Sequence, residues 1–158
     1  MIANGKELFK LVDDILKPRG YVRKKDIWYH FTSECICYFY LRKSELGGFY
    51  DAAIGCFLKE IYTEKDEFPK PRDRHLFYPL ENFIGRDKIK NIFDMENQEF
   101  SNNEREQLIA DLLNKHVAPL LTELSTKEGI KRAMGKYDDL KHYAWVNLLT
   151  ALNMKIDA

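Results

Sequence analysis

The chain has no excess of charge, few cysteines and no long apolar run, and each shortage excludes a class of protein. It carries 25 Lys and Arg against 25 Asp and Glu, so its formal net charge is zero. A protein that holds nucleic acid by bulk electrostatics needs a clear positive excess. The longest apolar stretches, residues 35–41 and 52–58, fall far short of the roughly 20 residues that span a bilayer, so no membrane association is expected. The first residues, Met1-Ile2-Ala3-Asn4-Gly5-Lys6-Glu7, lack a charged stretch followed by an apolar core, and no secretory signal is read there. Cys35, Cys37 and Cys56 are an odd number without the spacing of a disulfide framework. Free thiols in a reducing cytoplasm are the expectation. Phosphate loops, dinucleotide fingerprints, nucleophile elbows and paired-histidine zinc motifs are missing too, so no cofactor is expected.

What is present describes a folded domain. The 158 residues are 45% hydrophobic and 32% charged, the balance of a water-soluble globular chain. One domain over residues 1–158 is the simplest reading at this length, enough chain to bury roughly 70% of its unfolded surface. The aromatic residues, 13% of the chain, concentrate between Phe9 and Phe100, whereas the last third has helical periodicity. Strands first and helices later predict an α+β fold rather than alternating β-α-β units.

Asn4 predicts a cap for a first helix, with Leu8, Leu11, Val12, Ile15 and Leu16 as its apolar face. Pro18 and Gly20 stop it. Strands are predicted at 21–25, 27–32, 35–43 and 49–58, with Gly47-Gly48 supplying positive φ to the last hairpin. These make an antiparallel meander of three to five strands packed against the N-terminal helix and the C-terminal helices. Alternation places Cys35, Cys37, Phe39 and Leu41 on the core face. Ile36, Tyr38, Tyr40 and Arg42 share the other face, open to solvent or lying under the following loop. Residues 59–100 read as irregular, with a short strand at 76–78. Beyond them, Ser101 to Glu104 and Ser125 to Glu128 are capping-box patterns, Pro119 predicts a kink or break, Gly135 a helix end, and Asp138 the cap of a last helix.

The segment 15–25 (Ile-Leu-Lys-Pro-Arg-Gly-Tyr-Val-Arg-Lys-Lys), followed by Trp28-Tyr29, joins a helix end to a leucine-lysine-proline-x-glycine-aromatic phrase and a basic, aromatic strand. With Leu41-Arg42-Lys43-Ser44, Gly47-Gly48-Phe49-Tyr50 and Ile54-Gly55, it resembles the bacterial domain-of-unknown-function family 4304 (DUF4304) over about residues 8–60. The resemblance implies a fold shared among bacterial cytoplasmic proteins and supplies no activity. Members usually carry a glutamine where Arg42 stands and an asparagine within 51–53, so no polar site is carried over.

The candidate site residues follow from charge and aromatics. Lys17, Arg19, Arg23, Lys24 and Lys25 fall within nine residues without an acid. Residues 1–50 hold nine basic and six acidic groups, and residues 51–100 hold eight and eleven, so the zero total conceals a basic start opposed by an acidic middle. Arg23, Lys24, Lys25, Trp28, Tyr38, Tyr40 and Arg42 form the candidate partner- or ligand-binding set, with Arg74 and His75 from the charged loop. Basic groups among aromatics on a sheet suit single-stranded nucleic acid; the same lysines also guard an exposed strand edge. The preferred reading is a non-enzymatic protein-interaction module, of an accessory or immunity type, with the acidic stretch 60–67 as a second patch. Nucleic-acid binding is the first alternative, and an enzyme site around Arg74, His75 and Tyr78 the second. No metal site is expected, because three thiols lack a fourth ligand and the two-residue spacing of zinc turns. The oligomeric state is not encoded in any of these features.

Overall fold

A computed structural model describes residues 4–73 and 75–154. Helix α1 (Gly5–Leu16) starts where Asn4 Oδ1 accepts the Glu7 N–H at 3.0 Å, satisfying one of the donors a helix leaves free. Leu8, Val12 and Leu16 are its buried stripe. Pro18 sits in a tight turn, Lys17–Arg19, and Gly20 at φ 93° turns the chain away.

Five strands follow: β1 (Val22–Lys24), β2 (Ile27–Phe31), β3 (Cys35–Lys43), β4 (Tyr50–Leu58) and β5 (Leu76–Pro79). They pair antiparallel in sequence order, which confirms the α+β meander. Register sets the faces: Trp28 lies opposite Phe39, Cys37 opposite Cys56, and Tyr40 opposite Ala53. Cys35, Cys37, Phe39 and Leu41 face the helices, as alternation predicts, in one buried cluster with Leu8 and Val12 of α1.

The remaining helices are α2 (Glu81–Ile84), α3 (Arg86–Phe93), α4 (Asn102–Leu112), α5 (Ala118–Glu123), α6 (Lys127–Lys136) and α7 (Val146–Ala151). They complete that cluster through Ile92, Leu112, Leu121, Ile130 and Leu148. Ser101 and Glu104 form the predicted capping box. Ahead of Pro119 the helix widens into a π-turn, Leu113–Val117, where the Ala118 N–H reaches the Leu113 carbonyl. The wider turn makes room for a ring that cannot donate.

Several expectations are corrected. Gly47 and Gly48 do not adopt positive φ. Gly48 is instead a point of close approach: a Cβ there would lie 2.5 Å from Glu96 Cγ, and its carbonyl accepts the Met95 N–H. Residues 59–100 contain β5, α2 and α3, so they are less irregular than their charge and prolines suggest. Thr126, not Ser125, caps α6, and the helix passes through Gly135 to Lys136. Asp138 caps nothing; a short 3₁₀ turn, Leu140–Tyr143, precedes α7, which starts after Trp145.

Of the two readings left open for the second face of the sheet, the one that puts it under the following loop holds for Ile36 and Tyr38. Tyr29, Ile36, Tyr38 and Phe57 form a second buried cluster with Tyr62, Phe68 and Phe77 packed on it. Tyr38 is fully buried, and its hydroxyl donates to the Leu76 carbonyl at 2.9 Å. That geometry needs Gly55, because a Cβ there would sit 2.1 Å from the Leu76 oxygen and 2.3 Å from the Tyr38 hydroxyl. Gly135 meets nothing within 4 Å of an added Cβ. Gly55→Ala is therefore expected to cost about 3 kcal/mol or more. Gly135→Ala should be neutral or stabilise by up to about 1 kcal/mol, since an open helical glycine only costs backbone entropy. Urea-denaturation midpoints of the two variants measure both.

Candidate functional site

The cover on the second face stops part-way across the sheet. Residues 59–73 run over the row that contains Tyr29 and Tyr38. Tyr29 donates to the Pro69 carbonyl at 2.6 Å, and Phe68 packs edge-on against Tyr29 and Phe31. The next row, Lys24–Ile27–Tyr40–Ala53–Pro79, crosses all five strands in register. Ile27, Tyr40 and Pro79 are half-buried and Lys24 is exposed. At the β4–β5 end of this row lies a cleft of about 260 Å³, lined by Tyr40, Arg42, Asp51, Phe77, Pro79 and Glu81. Tyr40 and Phe77 meet edge-to-face at 6.5 Å and form its aromatic wall. Burial, and then the negative charge of Asp26, raise the Tyr40 phenol above its usual range. It therefore stays a neutral hydrogen-bonding group at physiological pH.

Three of the nine sequence-predicted residues thus lie along the less covered part of this face: Lys24, Tyr40 and Arg42. Lys24 holds its ammonium 4.9 Å from the Phe68 ring centre, a cation–π contact. Lys25 is exposed in the β1–β2 turn at φ 55°. Arg42 lies exposed across from Asp51. Arg23 is on the opposite face, 3.3 Å from Asp13 and stacked near Phe9 and Trp28. Trp28 is fully buried and donates its indole N–H to Asp13 at 2.9 Å. Tyr38 is buried as described. Trp28 and Tyr38 are therefore parts of the two cores and present no ring to a ligand. Arg74 lies outside the described residues.

His75 is the most informative correction. A place in the charged loop suggests a solvated side chain, yet only 4% of it is exposed. Its Nδ1 accepts the Leu58 N–H at 2.9 Å, and the ring packs on Phe57 and Tyr62. An acceptor Nδ1 is unprotonated, which places the proton of the neutral ring on Nε2. Tyr78 lies on the other face, its hydroxyl on the Asp139 carboxylate at 2.9 Å. His75 and Tyr78 do not converge, so the assembled enzyme site around them is not formed.

The cysteines are buried beneath the helices. Burial pushes the Cys35 and Cys37 thiols up to about 12 and raises Cys56 as well. The Cys37 thiol donates to the Leu124 carbonyl. These are packing groups, poor nucleophiles at neutral pH.

Sequence reasoning missed Asp51, Phe77, Pro79 and Glu81. Phe77 and Pro79 reach the cleft only through the β4–β5 register, which is set across the long 59–75 connection. Alternation within 76–79 carried their one detectable signal, that Phe77 and Pro79 face away from Leu76 and Tyr78.

The family model described as "Domain of unknown function (DUF4304)" matches residues 12–123, a span that includes all five strands. No curated protein and no solved structure matches. No helix among the described residues is long and apolar enough to cross a membrane.

Burial lowers the His75 pKa to about 4. The unfolded chain, with an ordinary histidine pKa near 6.5, then binds more protons than the folded one as pH falls. The associated stability is complete above about pH 6.5, declines between about pH 6.5 and 4, and is lost below that, by about 3 kcal/mol in total. Denaturation midpoints at a series of pH values should show this decline in the native protein. His75→Asn, which keeps an acceptor for the Leu58 N–H, should flatten it.

Proposed function

Because the chain belongs to the DUF4304 family, a domain of unknown function, its role rests on its own surface, and we propose that it is a non-enzymatic protein-interaction module. The partner it fits is an extended segment of another protein that combines acidic and apolar residues. An apolar side chain enters the cleft against the wall that Tyr40 and Phe77 form, and acidic residues lie against Lys24 and Lys25. The observation that carries this reading is the half-buried row from Lys24 to Pro79, beside a row whose centre, Tyr29 and Tyr38, is buried under the loop that follows β4. A sheet face that is sealed on one side of a line and open on the other offers apolar area already partly desolvated.

Charge supports the choice of partner. Lys24 and Lys25 form no ion pair with the described residues, unlike Arg23 and Lys17, which share Asp13. Single-stranded nucleic acid is less well supported, because Trp28 and Tyr38, two of the rings that would stack on bases, are buried.

A fluorescein-labelled peptide of alternating Glu and Val with one central Phe provides the test, read by anisotropy. Saturable binding is expected at about 50 mM salt and should weaken markedly at about 300 mM, where exposed charges are more strongly screened. The double variant Lys24→Glu/Lys25→Glu and the variant Tyr40→Ala should each weaken it at least about tenfold, the scale of a lost interface contact, with unchanged circular dichroism. Absence of saturable binding, or binding indifferent to both variants, overturns the proposal. Tighter binding of a single-stranded oligonucleotide that both variants abolish transfers the surface to nucleic acid.

A further inference from the structure

Away from the sheet face, one buried charge lacks a counter-charge. Arg105, in the second turn of α4, is 2% exposed. One terminal nitrogen donates to the Asn97 carbonyl. Its Nε has no acceptor at all, and no carboxylate lies within ion-pair distance of it among the described residues. The other buried polar side chains are satisfied: His75 accepts from Leu58, and Ser125 donates to the Leu121 carbonyl at 2.8 Å. An arginine cannot shed its charge by deprotonating. A guanidinium buried with one neutral partner and an orphaned donor is costly unless an anion completes it.

The surroundings supply the rest of such a site. Arg105 lines a cleft of about 440 Å³ together with Asn97, Gln98, Ser101 and Asn102, and no acidic side chain lines it. The cleft opens at the N-terminus of α4, an 11-residue helix whose dipole favours negative charge there. The capping box uses the Ser101 and Glu104 N–H groups at 3.0 and 3.1 Å. It leaves those of Asn102 and Asn103, which have no acceptor within the helix. We infer that this cleft is a binding site for a small carboxylate, held by the Arg105 guanidinium, the α4 N-terminus and the Asn102 side chain. A carboxylate is favoured over a doubly charged phosphate because the Glu104 carboxylate already stands at this helix end, hydrogen-bonded to the Ser101 N–H. A second charge on the ligand would be repelled by it. The planar pair of carboxylate oxygens also matches the guanidinium fork.

The test is an acetate titration of the full chain at constant ionic strength, with chloride as the balancing salt, read from amide and arginine Nε–H resonances. Acetate should shift the Arg105 Nε–H and the Asn102 and Asn103 amides saturably. Asn102→Asp places a charge at the rim, where a helix start tolerates or welcomes it, so the variant folds with equal or higher Tm. It should weaken acetate binding at least tenfold. Shifts that rise linearly with acetate, or that Asn102→Asp leaves unchanged, overturn the site. Inorganic phosphate binding more tightly than acetate at pH 7.5 overturns the choice of carboxylate.

Discussion

The second face of the sheet depends on one contact, the Tyr38 phenol lying over Gly55 and donating to the Leu76 carbonyl. The ring starts on β3, crosses β4 and ends on β5, so it ties three neighbouring strands together. It can do so only where β4 has no side chain. The buried hydroxyl is paired, which removes the desolvation cost that would otherwise oppose it. Phe57, Tyr62, Tyr29 and Phe68 then assemble around this point. The described residues of this connection contain only two short turns, Lys59–Ile61 and Pro71–Asp73, so side chains must hold them down. Tyr29 reaches the Pro69 carbonyl, and Tyr62 the Asp66 carbonyl. His75 accepts the Leu58 N–H where β4 ends. The segment is a cover because the sheet reaches up and bonds it.

The same contact explains where the cover ends. Tyr38 and Tyr29 share a cross-strand row, and the loop follows that row. One step along the strands, Tyr40 faces Ala53, a residue too small to raise a wall, and Phe77 closes the far side. The cleft is thus the place where the loop has passed and α2 and α3 begin, with Glu81 and Ile89 at its margin. The other face has no equivalent opening in this row, since Leu41, Ala52 and Leu80 are buried there against the helices.

Much of the architecture was legible because its signals are local. The alternation of Cys35, Cys37, Phe39 and Leu41 marks the core face of β3, and Asn4 and Ser101 mark helix starts by short-range capping chemistry. The basic cluster was legible as a cluster but not as a surface. Asp13 gathers Lys17, Arg23 and the Trp28 indole, and Arg19 bonds to Asn114, ninety-five residues away. Only Lys24 and Lys25 stay outward and unpaired among the described residues. The burial of Tyr38 and His75 depends on where an aperiodic, charged connection lies down, and no periodicity records that. Asp138 and Asp139 illustrate the same limit. Adjacent acids before a helical pattern suggest a cap, yet Asp139 serves Tyr78 on a strand sixty-one residues earlier.

Residues 94–101 show how a loop without ladder pairing of its own becomes a fixed part of the structure. Asp94 bridges to Phe49, and the Met95 N–H reaches the Gly48 carbonyl, so the start of the loop grips the β3–β4 hairpin. Glu96 packs where Gly48 has no side chain. Further along, the Asn97 carbonyl takes a donor from Arg105, and Ser101 begins α4. The guanidinium therefore fastens the loop from the helix side while the hairpin fastens it from the sheet side. A purely structural fastening of this kind needs one donor from Arg105. A neutral donor would serve that carbonyl without bringing a permanent charge into a buried position. Neither the neutral lining of the cleft nor the positive end of α4 compensates that charge; an anion held between the two would, which is how the inferred carboxylate accounts for an arginine at this position.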